Sequence, residues 1–462
     1  MTEKQKVNRS HLADCITNDL IDMDISVAGW IEDVRDIGKL GFVSMRDFTG
    51  MMQIIVAGDL LSQIRTIPRQ SCVLVEGKVQ RSKAKNVDFE IKANRISLIA
   101  KAIHPLPIDP TGRVESSTDK RIDSRALDLR DPKVSAIFRL RSSALQTIRN
   151  FLRSRRFTEV TTPKIIGTST EGGANLFRCD YFGKNAYLAQ SPQLYKEQLT
   201  VGLERVFEIG PYFRAEKSHT VRHLAEFTSV DVEAAFLDYT DVMGIVADLV
   251  RRVISDLMHL CNADLKLTWQ KATEPNTVVN RNEDEMIRRM KELFGISDGS
   301  SLDPLELKIE QITYERAIDE LGGQGESLSF GDDLSDLALR KLGGLHKGFY
   351  FITDWPMSLK PFYIHEKEEN QELSCSFDLQ FGYLELVSGG RRQHDPDKLK
   401  NRIVEQGLDP SGFEDHLRAF QWGMPPHSGW GLGFDRLMMV LTNSQNVREV
   451  VLYPRDAERL GP

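Results

Sequence analysis

No apolar run in this 462-residue chain approaches the roughly 18–20 residues that a membrane-spanning helix requires, so no membrane partner is expected. The opening stretch, MTEKQKVNRSHLAD, lacks the apolar core of a secretory signal. Cysteine is scarce: Cys15, Cys72, Cys179, Cys261 and Cys375 are scattered, odd in number and without C-x-x-C spacing. That pattern argues against both a disulfide framework and a zinc site. Low-complexity and disorder-type bias are absent as well. A cytoplasmic globular protein is the expectation. A strong positive charge is also missing, since the net charge is −7. The charge is uneven, however. Residues 1–103 carry fifteen Lys/Arg against thirteen Asp/Glu, and Glu76–Lys101 carries seven against three. A local basic patch is all that contact with a nucleic-acid backbone needs, although a lysine-decorated sheet edge would look the same.

The length exceeds what one core ordinarily serves, so two or more domains are expected. Residues from about 24 to 103 alternate as short strands: Ile25–Ile31, Gly41–Arg46, Met51–Val56, Val73–Gln80 and Phe89–Leu98. A short helix, about Leu60–Ile67, falls between the third and fourth. Five strands with one helix before the fourth is the order of an oligonucleotide-binding (OB) barrel. Phe42 could stack a base and Gln53 could read its edge, while Phe42 reads equally well as a core aromatic. A Pro- and Gly-rich segment follows, Ala102–Thr118, which reads as a hinge.

Beyond it, Asp131 and Pro132 start a helix that runs to about Arg155. Its apolar positions Ile137, Leu140, Leu145, Ile148 and Leu152 share one face. The strand FTEVTTP, Phe157–Pro163, follows. The rest of the chain is organised around Val206–Glu233, VFEIGPYFRAEKSHTVRHLAEFTSVDVE. It reads as a strand delivering Arg214 and Glu216 to one face, a basic loop, and a returning strand carrying His223 and Phe227. An arginine for phosphate, a carboxylate for an exocyclic amine and an aromatic for a flat base suit a nucleoside triphosphate. On its own the same string describes an amphipathic hairpin with a surface ion pair. Near the C-terminus, GLGFDR (Gly431–Arg436) adds glycines that permit close backbone approach, then an arginine opening the helix Leu437–Leu441.

These three stretches, in this order, resemble motifs 1, 2 and 3 of the class II aminoacyl-tRNA synthetases. The string QSPQLYK (Gln190–Lys196) is similar to the aspartyl enzymes of archaeal and eukaryotic type. The resemblance implies an α+β protein with an OB-fold anticodon-binding domain at 1–103, a hinge at 104–130 and a class II catalytic domain at 131–462. That catalytic domain would be an antiparallel sheet flanked by helices, with an insertion at about 267–306 that departs from the family pattern. The implied activity is ATP-dependent activation of L-aspartate and transfer to the 3′ end of tRNA-Asp, by a homodimer built on the motif 1 helix and strand. Arg214 and Arg436 would be catalytic, and Glu216, His223, Phe227, Glu385 and Gly433 would join them in holding ATP. Glu385 and Ser388 match the positions that bind magnesium. Glu171 (in the loop GTSTEGGANLF, where Thr170 replaces the usual serine), Gln193, Lys196, Ser388 and Arg392 would hold aspartate. The chain reads SGGRRQH where the family has SGAQRIH, so either Arg391 or Arg392 could be the ligand, alignment favouring Arg392. Lys360 stands where an arginine is usual, keeping the charge without the bidentate fork. Phe42, Gln53 and Lys85 would contact the anticodon. Three alternatives stay open: an enzyme that also charges tRNA-Asn, an asparaginyl enzyme, and an inactive RNA-binding paralogue. Glu32 and Lys85 stand where the first alternative would have histidine and proline, which leans toward tRNA-Asp alone.

Overall fold

The computed structural model describes residues 8–84, 87–167, 176–216, 220–269, 294 and 307–461. The chain divides into two compact units, Met1–Asp131 and Pro132–Pro462.

In the first unit, strict alternation of apolar and polar residues builds a closed five-stranded barrel. Its strands are β1 (Asp24–Asp36), β2 (Leu40–Arg46), β3 (Met51–Ala57), β4 (Cys72–Arg81) and β5 (Phe89–Ala100), paired in the order β1-β2-β3-β5-β4. Helix α1, Asp59–Arg65, sits between β3 and β4 as the sequence suggested. Val27, Ile31, Val43, Met45, Ile54, Val56, Val73, Val75 and Ile91 fill the interior. Phe42 lies outside this core. It is half-buried on the outer face, because its neighbours Gly41 and Val43 point inward. Phe42 pairs with Ile55 and Ser44 with Gln53, so Phe42 and Gln53 are diagonal neighbours on that face. Gln53 donates from Nε2 to Glu90 Oε2 (2.7 Å), and Glu32 pairs with Arg46 (2.8 Å). Lys85 lies outside the described residues.

The segment expected to be a hinge is not irregular throughout. Its second half folds into two short helices, Thr118–Asp123 and Arg125–Asp128. Ser117 caps the first, and Asp128 accepts from both Arg121 and Arg125, which gives this polar stretch local partners that a flexible linker lacks.

The second unit is built on an eight-stranded sheet. Its strands are β6 (Thr158–Glu159), β10 (Arg205–Phe213), β11 (Glu226–Ala235), β12 (Glu310–Thr313), β13 (Phe349–Thr353), β14 (Ser376–Phe381), β15 (Leu384–Arg391) and β16 (His427–Gly433), in the order β12-β13-β14-β15-β16-β11-β10-β6. The six central strands are antiparallel. Only the edge strands β6 and β12 pair in parallel. A small three-stranded sheet contains β7 (Ile165–Ile166), β8 (Arg178–Tyr181) and β9 (Lys184–Leu188). Helix α2, Pro132–Ser154, and helix α3, Tyr239–Leu260, pack over one face of the large sheet. There they bury Val230, Val232 and Ala234 of β11 together with Leu379, Val387 and Leu432. Period-two alternation then commits Ser229, Asp231 and Glu233 to the other face. The insertion expected at 267–306 falls almost wholly outside the described residues.

Because Ile54 is fully buried in the barrel, Ile54→Ala should cost about 2–5 kcal/mol of that unit's stability. Amide exchange across β1–β5 would read this as faster opening, and unchanged protection would contradict the packing.

Candidate active site

A cavity of about 310 Å³ lies against the polar face of the large sheet. It is lined by Gln193, Lys196, Arg214, Glu216, His223, Phe227, Glu385, Ser388, Arg392, Gly433 and Arg436, all singled out from the sequence. Glu171 lies outside the described residues. Sequence reasoning did not assign a role to Asp231, Glu233 or Asp378, although two of them stand out as acids alternating with buried valines in SVDVE.

At one end, β10 stops at Phe213. Arg214 and Glu216 therefore follow the strand rather than sit on it, a correction to the sequence reading. Likewise β11 starts at Glu226, so His223 precedes it. The backbone still holds the pair in place, since Arg214 N–H donates to the Ala225 carbonyl at 3.0 Å. The Arg214 guanidinium lies 5.5 Å from the centre of the Phe227 ring, a cationic and aromatic surface together. His223 Nδ1 sits 2.7 Å from Thr220 Oγ1 and 3.9 Å from Glu216 Oε2. Burial pushes the His223 imidazole below its ordinary pKa, with Glu216 opposing.

Glu385 and Ser388 are three apart on β15, which would place them on opposite faces of a regular strand. A bulge removes the conflict. Leu379 pairs with Val387 and Gln380 with Glu385, so Leu386 is the extra residue and both polar side chains reach the cavity. Ser388 pairs with Asp378, whose Oδ2 accepts from Lys360 Nζ at 2.8 Å and whose Oδ1 is buried without a hydrogen bond. Crowding by protein, and then the Asp378 carboxylate, hold the Glu385 carboxyl above its ordinary pKa. Arg436 Nη1 donates to the Glu385 carbonyl at 2.8 Å. Among the described residues no group of three or more His, Cys, Asp or Glu could hold a metal by itself. Two carboxylates and a hydroxyl do suit a hard cation that completes its shell with water and phosphate oxygens, as magnesium does. The donor set therefore fits that ion.

At the other end the charges are fully buried. Helix α4, Gln193–Leu203, presents Lys196, whose Nζ donates to Asp231 Oδ1 (3.1 Å) and the Trp430 carbonyl (3.2 Å), with Glu233 Oε2 at 3.5 Å. Arg392 donates Nε and Nη2 to the two oxygens of Glu233, at 3.0 and 3.2 Å. Arg391 points elsewhere, 3.9 Å from Glu368, and Arg392 is the arginine of the pair that lines the cavity. Opposite the acids stand glycines. Gly429 pairs with Glu233 and Gly431 with Asp231, and a Cβ built on Gly429 would collide with the Glu233 carboxylate.

The model describing class II tRNA synthetases (D, K and N) matches residues 117–457, and the OB-fold nucleic acid binding domain matches residues 25–99. The chain belongs to the class II tRNA synthetases of the D, K and N type. It is 40% identical over 462 residues to the aspartate–tRNA(Asp/Asn) ligase of Methanothermobacter thermautotrophicus, covering 99% of each chain. It is 41% identical over 441 residues to the aspartate–tRNA(Asp) ligase of Thermoplasma acidophilum, covering 95% of this chain and 96% of that one. Among solved structures, the asparaginyl-tRNA synthetase of Pyrococcus horikoshii complexed with asparaginyl-adenylate superposes with a TM-score of 0.88 at 30% identity, over 99% of this chain and 100% of that one.

In this synthetase unit one arginine ties the three motifs together. Arg141 of α2 pairs with Asp435 at 2.5 Å, donates to Thr228 Oγ1 at 2.8 Å, and stacks 4.7 Å from the Phe434 ring. Asp435 also accepts from the Thr228 amide at 2.8 Å. Phe227 and Arg436 are the immediate neighbours of Thr228 and Asp435. Removing Arg141 would leave the buried Asp435 carboxylate short of its cation, a loss of about 3–5 kcal/mol for a broken buried pair. Arg141→Ala should accordingly lower the denaturation midpoint and raise the KM for ATP, and Arg141→Lys should fall between. An unaltered KM and midpoint would show the contact to be idle.

Proposed function

We propose that the chain activates L-aspartate with ATP and transfers the aspartyl group to the 3′ end of tRNA-Asp, acting as a cytoplasmic homodimer. Full-length similarity to aspartate–tRNA ligases supports this reading. The observation that carries the choice of amino acid is the pair of buried cations, Lys196 and Arg392, at one end of the cavity. Arg392 commits Nε and Nη2 to Glu233, which leaves its Nη1 edge for a substrate side-chain carboxylate. An amide in that place would put an N–H against a donor and lose a bond, the kind of mismatch a built polar site rejects. No helix among the described residues is long and apolar enough to cross a membrane.

In the proposed reaction the aspartate α-carboxylate attacks the α-phosphorus of ATP, and pyrophosphate leaves. The terminal ribose hydroxyl of the tRNA then takes the aspartyl group, with AMP leaving. No side chain acts as nucleophile. Arg214 holds the α-phosphate and Phe227 stacks on the adenine, while Glu216 accepts from its amine. His223 and Arg436 face the outer phosphates. Negative charge gathers on phosphate oxygens in the transition state, so fixed guanidinium groups stabilise it more than the ground state. Glu385 and Ser388, with Asp378 behind them, would hold magnesium, which supplies charge neutralisation and orients phosphate. Phe42, Gln53 and Lys85 contact the anticodon.

A second reading, in which tRNA-Asn is charged as well, is favoured by the M. thermautotrophicus relative, whose name carries both tRNAs. Aminoacylation with labelled L-aspartate on separate tRNA-Asp and tRNA-Asn transcripts decides between them. Charging of tRNA-Asp alone is the expected result, from Glu32 and Lys85, and charging of both would establish the second reading. No charging of either would overturn the proposal. Arg214→Ala should reduce aspartate-dependent pyrophosphate exchange by about a hundredfold or more while tRNA binding persists. Near-normal exchange in that variant would remove Arg214 from the mechanism.

A further inference from the structure

Behind the amino-acid end of the cavity lies a buried charge that the proposed reaction does not use. Glu197 sits on α4 one turn after Gln193, so both side chains share a face. It is wholly buried. Its Oε1 accepts from Gln193 Nε2 at 2.6 Å. Its Oε2 lies 3.4 Å from His427 Nε2 and 3.8 Å from His416 Nε2. The two imidazoles arrive from different elements, His427 from β16 and His416 from the helix Glu414–Phe420.

The hydrogen-bond chemistry leaves little choice of orientation. His427 Nδ1 lies 2.8 Å from the Pro425 carbonyl, which can only accept, so Nδ1 carries a proton. The approach of Nε2 to Glu197 Oε2 at 3.4 Å makes the two a hydrogen-bonded pair. His416 likewise turns Nδ1 to a carbonyl, that of Leu194, at 3.2 Å. Nearby Gln198 places its side-chain amide 3.4 Å from the same nitrogen and can present either end. Burial favours the neutral acid, but hydrogen bonding from His427 and the positive charge of Arg392 outweigh it and hold the Glu197 carboxyl below its ordinary pKa. Glu197 is then an acceptor at both oxygens. The Gln193 amide cannot turn its carbonyl toward it, because two acceptors would meet at hydrogen-bond distance.

We infer that Glu197 is a positioning residue that locks the Gln193 side-chain amide with its carbonyl oxygen available to the cavity, as the acceptor for the α-ammonium group of the amino acid. The inference rests on the reading of this cavity as an amino-acid activating site. It adds how the site recognises the amino group: a neutral amide that could otherwise flip is made a one-way acceptor by a carboxylate out of reach of the substrate. Glutamine at 197 would lift this constraint, since its amide could pair with that of Gln193 in either sense.

A double-mutant cycle on the full-length enzyme tests this through aspartate-dependent pyrophosphate exchange. Glu197→Gln should raise the KM for aspartate by about tenfold or more, as expected for losing an oriented hydrogen bond to a charged group, with the KM for ATP within about twofold. In a Gln193→Ala background the same change should raise it no more than about twofold, because the group it acts through is gone. Glu197→Asp keeps the buried charge beside His427 while withdrawing the carboxylate, and serves the same cycle if the glutamine variant does not fold. An equal rise in both backgrounds, or a parallel rise in the KM for ATP, would overturn the inference and leave Glu197 a support of the fold. Absence of aspartate-dependent exchange in the unaltered enzyme would instead sink the functional reading and this inference with it.

Discussion

The buried ion network of Lys196, Asp231, Glu233 and Arg392 is the constraint from which the rest of the catalytic unit follows. Four charges withdrawn from water are tolerable only if each is paired and hydrogen-bonded, since desolvation alone would cost several kcal/mol per ion. The structure meets that condition with adjacent secondary elements: acids on β11, the lysine on α4 and the arginine just past β15. Room for the acids comes from the neighbouring strand, where Gly429 and Gly431 omit the side chains that would fill it. The valines between the acids anchor the opposite face of β11 in the helix-covered core. A one-residue slip of β11 would send both carboxylates into that core, so the network and the sheet register specify each other.

The opposite end of the cavity obeys the same rule with a different balance. Asp378 and Glu385 lie close enough that their charges oppose each other, and Lys360 answers one of them. That leaves a residual demand for positive charge, which suits a cation brought in with a triphosphate. Of the groups that would grip the nucleotide, Arg214, Glu216 and His223 lie beyond the strand ends of a hairpin, whereas Phe227 and the oxygen donors lie on strands. A rigid donor set and clamps beyond the strand ends is an arrangement that can admit a large substrate and still position its reacting atoms.

Much of this was legible in the chain. Alternation alone laid out the barrel, because each strand has one face in a single core. The motifs and the strings between them brought eleven residues to one cavity because such strings encode backbone geometry as well as side chains. What escaped was relational. Asp231 and Glu233 look like the outward face of a half-buried strand until α4 is known to cover them. Asp378 acquires meaning only through its pairing with Ser388. The end of β10 at Phe213 depends on the hairpin geometry, which the apolar pattern running through Tyr212 and Phe213 does not reveal. The helices at 118–128 depend on ion pairs to Asp128 that propensity does not report.

The choice between Arg391 and Arg392 shows how near such information can lie. Successive strand residues face opposite sides, so a residue four beyond Ser388 shares its face and a residue three beyond does not. Once Ser388 is placed at the cavity, Arg392 is the arginine that follows it there, and the Arg392 amide extends the β15 register by donating to the His427 carbonyl at 2.9 Å. The same parity rule would have excluded Glu385, three positions before Ser388. The rule fails there because Leu386 bulges and shifts the phase by one. A strand that must present a carboxylate at one end, a hydroxyl in the middle and an arginine at the other, in the order Glu385, Ser388, Arg392, has one odd and one even interval to reconcile. A single bulge is the smallest change of backbone that does so, and placing it between the two cavity-facing groups leaves the pairing of β15 with β16 from Val387 to Arg391 undisturbed.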